Sequence, residues 1–217
     1  MSDEAQRATT REEAGAAGGA DAGRVIVRET RETHVRVALA RGAGRSAVDT
    51  GVPFLDHMLA TLARYAGLDL TVSARGDLEH HLVEDVAIVV GAALAAARPA
   101  AAARYGDRTV PMDDALVHCA LDLGGRAYYR GPLPSGLYDH WMRSFADHAK
   151  ATLHLRVLRG RDRHHVVEAA FKALGLAVRD AMEETDEVFS TKGTVRQRDE
   201  GTRTRHESAP EAPLPPT

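Results

Sequence analysis

The 217-residue sequence predicts an α+β fold made of two related halves, each running strands, helix, strand, helix. Three observations predict it. Short segments rich in β-branched and apolar residues alternate with period two, which places one face on a core. Longer segments with helical periodicity separate them. Finally, the histidine-bearing elements recur: Asp56-His57 and Asp139-His140 each lie early in a predicted helix, each is followed by a strand, and each strand leads to a second helix opened by His-His-x-x-Glu. From His57 to His80 is 23 residues and from His140 to His164 is 24, a repeat that marks duplication.

Taken in order, RVIVRET and THVRVALA read as the first strands, followed by a helix over 53 to 66 (PFLDHMLATLARYA) and the strand LDLTVSA. The helix over 80 to 97 is apolar nearly all round through VAIVVGAALAAA, so it belongs in the centre of the fold, and Arg98-Pro99 ends it. The strands ALVHCALDL and RAYYR, a helix over 137 to 149, the strand ATLHLRVL and a helix over 164 to 183 complete the second half. The halves span roughly 24 to 100 and 113 to 190 and form one compact unit. The tails, 1 to 23 and 198 to 217, are rich in Ala, Gly, Pro and charge without period, and both read as disordered.

Composition narrows the function classes. No stretch reads as a membrane span, and the first residues lack the basic-then-apolar layout of a secretory signal, so a cytoplasmic protein is expected. The single cysteine, Cys119, excludes an intrachain disulfide and agrees with a reducing compartment. A net charge of -3 with dispersed charges argues against a nucleic-acid partner. Histidine, with 11 residues, stands out, and imidazole is the commonest protein ligand for transition metals.

One histidine near a helix start is usually a capping or surface residue. Adjacent pairs that keep step across two halves are not explained that way. On a helix each residue turns by about 100°, which puts Glu84 angularly between His80 and His81, and Glu168 between His164 and His165. With His57 and His140, each half offers three imidazoles and one carboxylate, enough for two metals with four protein ligands each and open positions for substrate. Mixed nitrogen and oxygen ligation suits Mn or Fe(II), while the cysteine count excludes a thiolate-rich zinc site.

In order along the chain, TGVPFLDHML, HHLVEDVAI, LDLGGRAYY, HHVVEAAFKALG and STKGT resemble the signatures of the imidazoleglycerol-phosphate dehydratase family, from about Arg24 to Val195. The resemblance implies a duplicated domain like the second domain of ribosomal protein S5, with sheets packed against central helices, assembled into a homo-oligomer of 24 subunits. It implies dehydration of a small phosphorylated imidazole, imidazole glycerol phosphate, to imidazole acetol phosphate in histidine biosynthesis, with two Mn2+ ions per active site or Fe2+ in their place. Cations on both ring nitrogens would favour the electron-rich ring that expels the hydroxyl on the neighbouring carbon.

The same resemblance assigns His57, His80, His81, Glu84, His140, His164, His165 and Glu168 as metal ligands. Glu32, in VRETRETHV, matches the position of a general acid/base, and with Glu84 and Glu168 makes up the catalytic set. Arg104, Arg126, Lys172, Ser190 and Lys192 match positions expected to hold the substrate phosphate. His34, His118 and His154 read as sheet-face residues, Trp141 and Met142 as packing between helices, and Asp56 and Asp139 as supports of their neighbouring histidines or as caps.

Three departures from the family pattern concern the first half. GDLEHHLVED is about three residues shorter than the usual approach to the histidine pair and lacks the acidic residue just before it, for which Glu79 is the expected substitute. Leu82 replaces a threonine, and Thr61 a glutamine, positions where a substrate contact is expected. Other readings therefore stand beside the first: a divergent paralogue, lyase or hydrolase, acting on another phosphorylated azole, and a non-enzymatic S5-like binding or assembly module with structural metal.

Overall fold

A computed structural model describes residues 23–186. The first half comprises β1 (Arg24–Glu29), β2 (Thr33–Arg41), β3 (Ser46–Asp49), α1 (Pro53–Ala66), β4 (Leu68–Gly76) and α2 (Glu79–Ala97); the second comprises β5 (Tyr105–Met112), β6 (Ala115–Leu123), β7 (Tyr128–Arg130), α3 (Gly136–Ala149), β8 (Ala151–Arg159) and α4 (Arg163–Ala181). The two sheets have matching orders, β1-β2-β4-β3 and β5-β6-β8-β7, with β3 and β7 parallel to their neighbours and every other pair antiparallel. A helix carries each parallel crossover, as parallel pairing requires.

The α+β duplication is therefore present, with one further strand in each half, β3 and β5, where the alternating pattern is weak. β3 is a four-residue edge strand. β5, YGDRTVPM, contains Gly, Asp and Pro, residues that disfavour strands; it is also an edge, where Pro111 costs little in lost pairing.

Alternation on the inner strands buries one face. In β2 Val35, Val37 and Leu39 point inward, and in β6 Val117, Cys119 and Leu121 do the same. Each sheet is covered by its own two helices, and the helices of one half meet those of the other, α1 on α4 and α2 on α3. The core thus lies in the middle, between two sheets whose outer faces are open.

The helix contacts explain two glycines at corresponding positions. A Cβ on Gly91 of α2 would lie 2.6 Å from the Phe145 carbonyl oxygen of α3, and one on Gly175 of α4 would lie 2.8 Å from Cβ of Tyr65 on α1. Both absences of a side chain permit close approach of helix backbones.

By length and composition α2 reaches the range of a membrane-crossing helix, contrary to the expectation that no stretch would. Most of it is buried between the first sheet and α3, and that central burial is what its all-round apolar surface serves. Trp141, Met142 and Phe145 of α3 and Phe171 of α4 fill the space between helices, with the rings of Trp141 and Phe171 4.7 Å apart.

Candidate metal centre

The four helices bring their N-terminal turns to one end of the molecule, and the repeated histidines gather there in two groups. His57, His164 and Glu168 form one; His80, Glu84 and His140 form the other; in each, three ligand atoms lie within 4.8 Å of one another. In the first group Glu168 Oε2 lies 3.2 Å from His164 Nε2 and 3.6 Å from His57 Nε2, with the two rings roughly parallel. In the second, Glu84 Oε1 lies 3.2 Å from His140 Nε2, and Glu84 Oε2 lies 4.0 Å from His80 Nε2.

The groups are built across the halves. α1 packs on α4, so His57 of the first half joins His164 and Glu168 of the second; α2 packs on α3, so His140 joins His80 and Glu84. Each group thus mixes ligands from both halves, a pairing that the repeat along the sequence left open. Each glutamate turns to the histidine four residues before it, where helix neighbours face each other.

The second histidine of each pair diverges by about 100° and finds other partners. His81 Nδ1 is 3.2 Å from Asp77 Oδ1 and 3.3 Å from Glu32 Oε2. His165 Nδ1 is 2.8 Å from Asp114 Oδ1, and its Nε2 is 3.3 Å from Asp113 Oδ2. Bonding to Asp77 raises the His81 pKa, and bonding to Asp114 raises that of His165; the same contact with His165 brings Asp114 down to about 2.

These residues suit a divalent transition metal. His140 Nε2 is buried without an acceptable hydrogen bond, although Glu84 Oε1 is near it, so its nitrogen is available to a ligand between the side chains. Glu168, 7% exposed, is costly to bury as an anion. Burial works against its ionisation, but the Lys172 ammonium at 2.9 Å and His57 outweigh it and lower the pKa. Two imidazoles and a carboxylate leave several coordination positions of an octahedral ion open.

The residues matched to phosphate binding divide into separate places. Lys172 sits on Glu168, two turns along α4 from the histidines. Arg104 lies at the opposite end of that helix: its backbone N–H donates to the Ala181 carbonyl, and its guanidinium makes two bonds, 2.6 and 3.0 Å, to Asp122. The Arg126 carbonyl accepts from the Thr152 hydroxyl, in the loop whose Gly124 is bonded to Lys150 at the C-terminus of α3. Arg104 and Arg126 are therefore at the far end of the helices from the imidazoles. Ser190 and Lys192 lie outside the described residues.

Asp77, Asp113 and Asp114 did not emerge from the repeat. Asp77 supplies the carboxylate beside His81 that Glu79 was expected to supply. Asp113 and Asp114 occupy the turn between β5 and β6, the counterpart of the turn that carries Glu32, and superimposing the repeats on strands as well as histidines would have found them. Leu82 and Thr61 are both buried, so these departures alter core packing rather than an open surface. Asp56 accepts from Thr50 N and Oγ1, and Asp139 from Leu133 N and Tyr129 Oη; each braces the loop before its helix.

The strand histidines have local partners, His34 with Glu29 and His118 with Thr109, and the His154 ring lies beside Tyr128.

Comparison with known proteins identifies the family. Residues 50–178 match the family model described as imidazoleglycerol-phosphate dehydratase. A protein of that name from Salinibacter ruber is 49% identical over 189 residues, covering 78% of this chain and 94% of the relative; one from Pyrobaculum calidifontis is 48% identical over 185 residues, covering 78% and 98%. The crystal structure of the dehydratase from Pyrococcus furiosus superimposes with a TM-score of 0.72 at 37% identity, covering 78% of this chain and all of that one. The chain belongs to the imidazoleglycerol-phosphate dehydratase family and is a hydro-lyase of histidine biosynthesis.

Proposed function

We propose that the protein removes water from imidazole glycerol phosphate, using two Mn2+ ions per active site, at sites shared between copies of the chain in a 24-subunit cytoplasmic homo-oligomer. One observation carries the shared site: imidazole groups and phosphate-matched arginines occupy opposite ends of the helices. The 19 residues of α4 separate His164 from the Ala181 carbonyl bonded to Arg104 by about 25 Å. The three-carbon chain of the substrate spans only roughly 5 Å by ordinary bond lengths. A ring held at one end of a molecule and its phosphate held by Arg104 and Arg126 therefore require two molecules.

Within such a site His57, His164 and Glu168 hold one ion, and His80, Glu84 and His140 the other. His81 and His165, turned outward beside carboxylates, are directed to the remaining positions offered by a neighbouring copy. The ions supply positive charge that favours loss of a proton from the azole ring. Glu32, already within 3.3 Å of an imidazole nitrogen, carries the proton between the substrate carbon and the departing hydroxyl, which leaves as water; the resulting enol tautomerises to the ketone. Arg104, Arg126, Ser190 and Lys192 bind the phosphate, and Lys172 holds Glu168 ionised.

Mixing two inactive variants tests the reading. His57→Ala retains its arginines and Arg104→Ala retains its ligands, so co-assembly through unfolding and refolding should restore part of the Mn-dependent dehydration that neither shows alone. Mixed particles with no activity, from parents that each assemble normally, would overturn the shared site. Native mass measurement gives the subunit number.

A further inference from the structure

The mechanism places Glu32 at the tip of the loop between β1 and β2, whose residues Thr30, Arg31 and Glu32 are all exposed. What holds it is a chain of hydrogen bonds that ends on a carboxylate of α2. Asp85, the residue after Glu84, is buried; its Oδ1 accepts from Arg28 Nε at 2.9 Å and its Oδ2 accepts from the Thr33 hydroxyl. Thr33 Oγ1 is in turn 3.0 Å from Thr30 Oγ1, and Thr30 Oγ1 accepts from the backbone N–H groups of Glu32 and Thr33 at 3.1 and 2.9 Å.

The direction of this chain is fixed by its end. An ionised carboxylate only accepts, so Thr33 must spend its one proton on Asp85 and accept from Thr30, whose oxygen is then left to take both N–H groups. Glu32 is held from the other side as well, because its carbonyl accepts from Asp77 N at 3.0 Å. Both backbone groups of Glu32 are thus tied, and its carboxylate is delivered to His81.

We propose that Asp85 is a positioning residue for Glu32, acting through Thr33 and Thr30 to set where that carboxylate stands in the site. The proposal rests on Glu32 moving the proton, as read above. The second half supports it by contrast. Ala169 follows Glu168, and the corresponding loop is the two-residue turn Asp113-Asp114, with Asp113 in the left-handed region and the Asp114 carboxylate accepting from the backbone N–H groups of Arg161 and Asp162. Only the longer loop has a buried acid beneath it.

Asp85→Asn keeps the shape and replaces one acceptor by a donor, which opposes either Arg28 Nε–H or the Thr33 hydroxyl, so that one of the two bonds fixing the side chain is lost. In the Mn-loaded oligomer kcat should fall about 10- to 100-fold, the range commanded by groups that orient functional residues, with KM and Mn2+ affinity unchanged. In metal-free protein the Glu32 and Thr33 amides should exchange hydrogen faster while the α2 core amides do not. Thr33→Val should reproduce both effects, and Thr33→Ser, which keeps the hydroxyl, should restore them; this pair carries the test if Asp85→Asn fails to assemble.

The decisive measurement is the double variant. Once Glu32→Gln has removed the proton carrier, adding Asp85→Asn, or Thr33→Val in its place, should cost nothing further in kcat. Losses that multiply would overturn the positioning role and leave the role of Glu32 intact. Full activity in Glu32→Gln alone would instead overturn the proton-transfer reading, and the positioning role with it.

Discussion

Between β1 and β2 the chain needs Thr30, Arg31 and Glu32 to turn, and a buried Asp85 braces them; between β5 and β6 it turns on Asp113 and Asp114 alone. Similar contrasts recur. Both α1 and α3 end on a left-handed residue whose N–H caps the last turn, but it is Gly67 in the first half and Lys150 in the second. Lys172 pairs with Glu168, whereas the corresponding residue beside Glu84 is Ile88. Duplication thus preserved which atoms converge and left the means of holding them to diverge. Ligands must meet one ion, while a loop or cap has several adequate solutions.

The largest expected effect tests whether the two groups are equivalent. His57→Ala and His140→Ala each remove one imidazole supplied across the halves, and each should lower kcat by at least about 100-fold and halve the bound divalent metal, read by metal analysis of the purified oligomer. Full metal content in either variant would break the equivalence.

Lys172→Met sharpens the comparison at intermediate size. It leaves Glu168 as a buried acid without its cation and should cost the metal-free protein about 2 kcal/mol at neutral pH. The pH dependence should weaken. In the parent the Glu168 pKa lies below its ordinary 4.5, so its contribution is present above that value and is lost as acid protonates the folded state. In the variant burial is opposed only by the weaker attraction of His57, so the folded pKa rises relative to the parent and the stability gained as pH rises through about 4.5 should shrink. Denaturant midpoints of the metal-free protein across that range will show the slope.

The smallest expected effect is at the caps. Lys150 has φ 54°, a conformation that costs a side-chain-bearing residue about 1 kcal/mol. Lys150→Gly should recover up to that amount in thermal unfolding, and Gly67→Lys should lose a similar amount. An unchanged Tm in both would show that neither cap carries strain.

The four helices and six of the eight strands were readable because their apolar residues keep a clear period over enough length. β3 was too short, and β5 carries Gly and Pro that are tolerated at an edge but erase the alternating signal. At the site the repeated histidines announced metal binding, yet adjacency in HHxxE did not say which imidazole turns to which acid. His80 and His81 part by a helical step, and their partners come from α3 and from the β1–β2 loop. Asp77 had no period to reveal it, and Asp114 emerges only when the repeats are aligned on their strands.

The sequence by itself determined that two copies of one pattern exist, what chemistry their histidines and glutamates are fit for, and which face of the longer, regularly patterned strands and helices is buried. These properties follow from residue type and local periodicity. Only the tertiary structure decided that α1 meets α4 and α2 meets α3, so that each ligand group draws on both halves, and that the arginines stand at the far end of the helices from the imidazoles. Such pairings arise from the packing of whole faces between segments distant along the chain, where no local pattern records the partner.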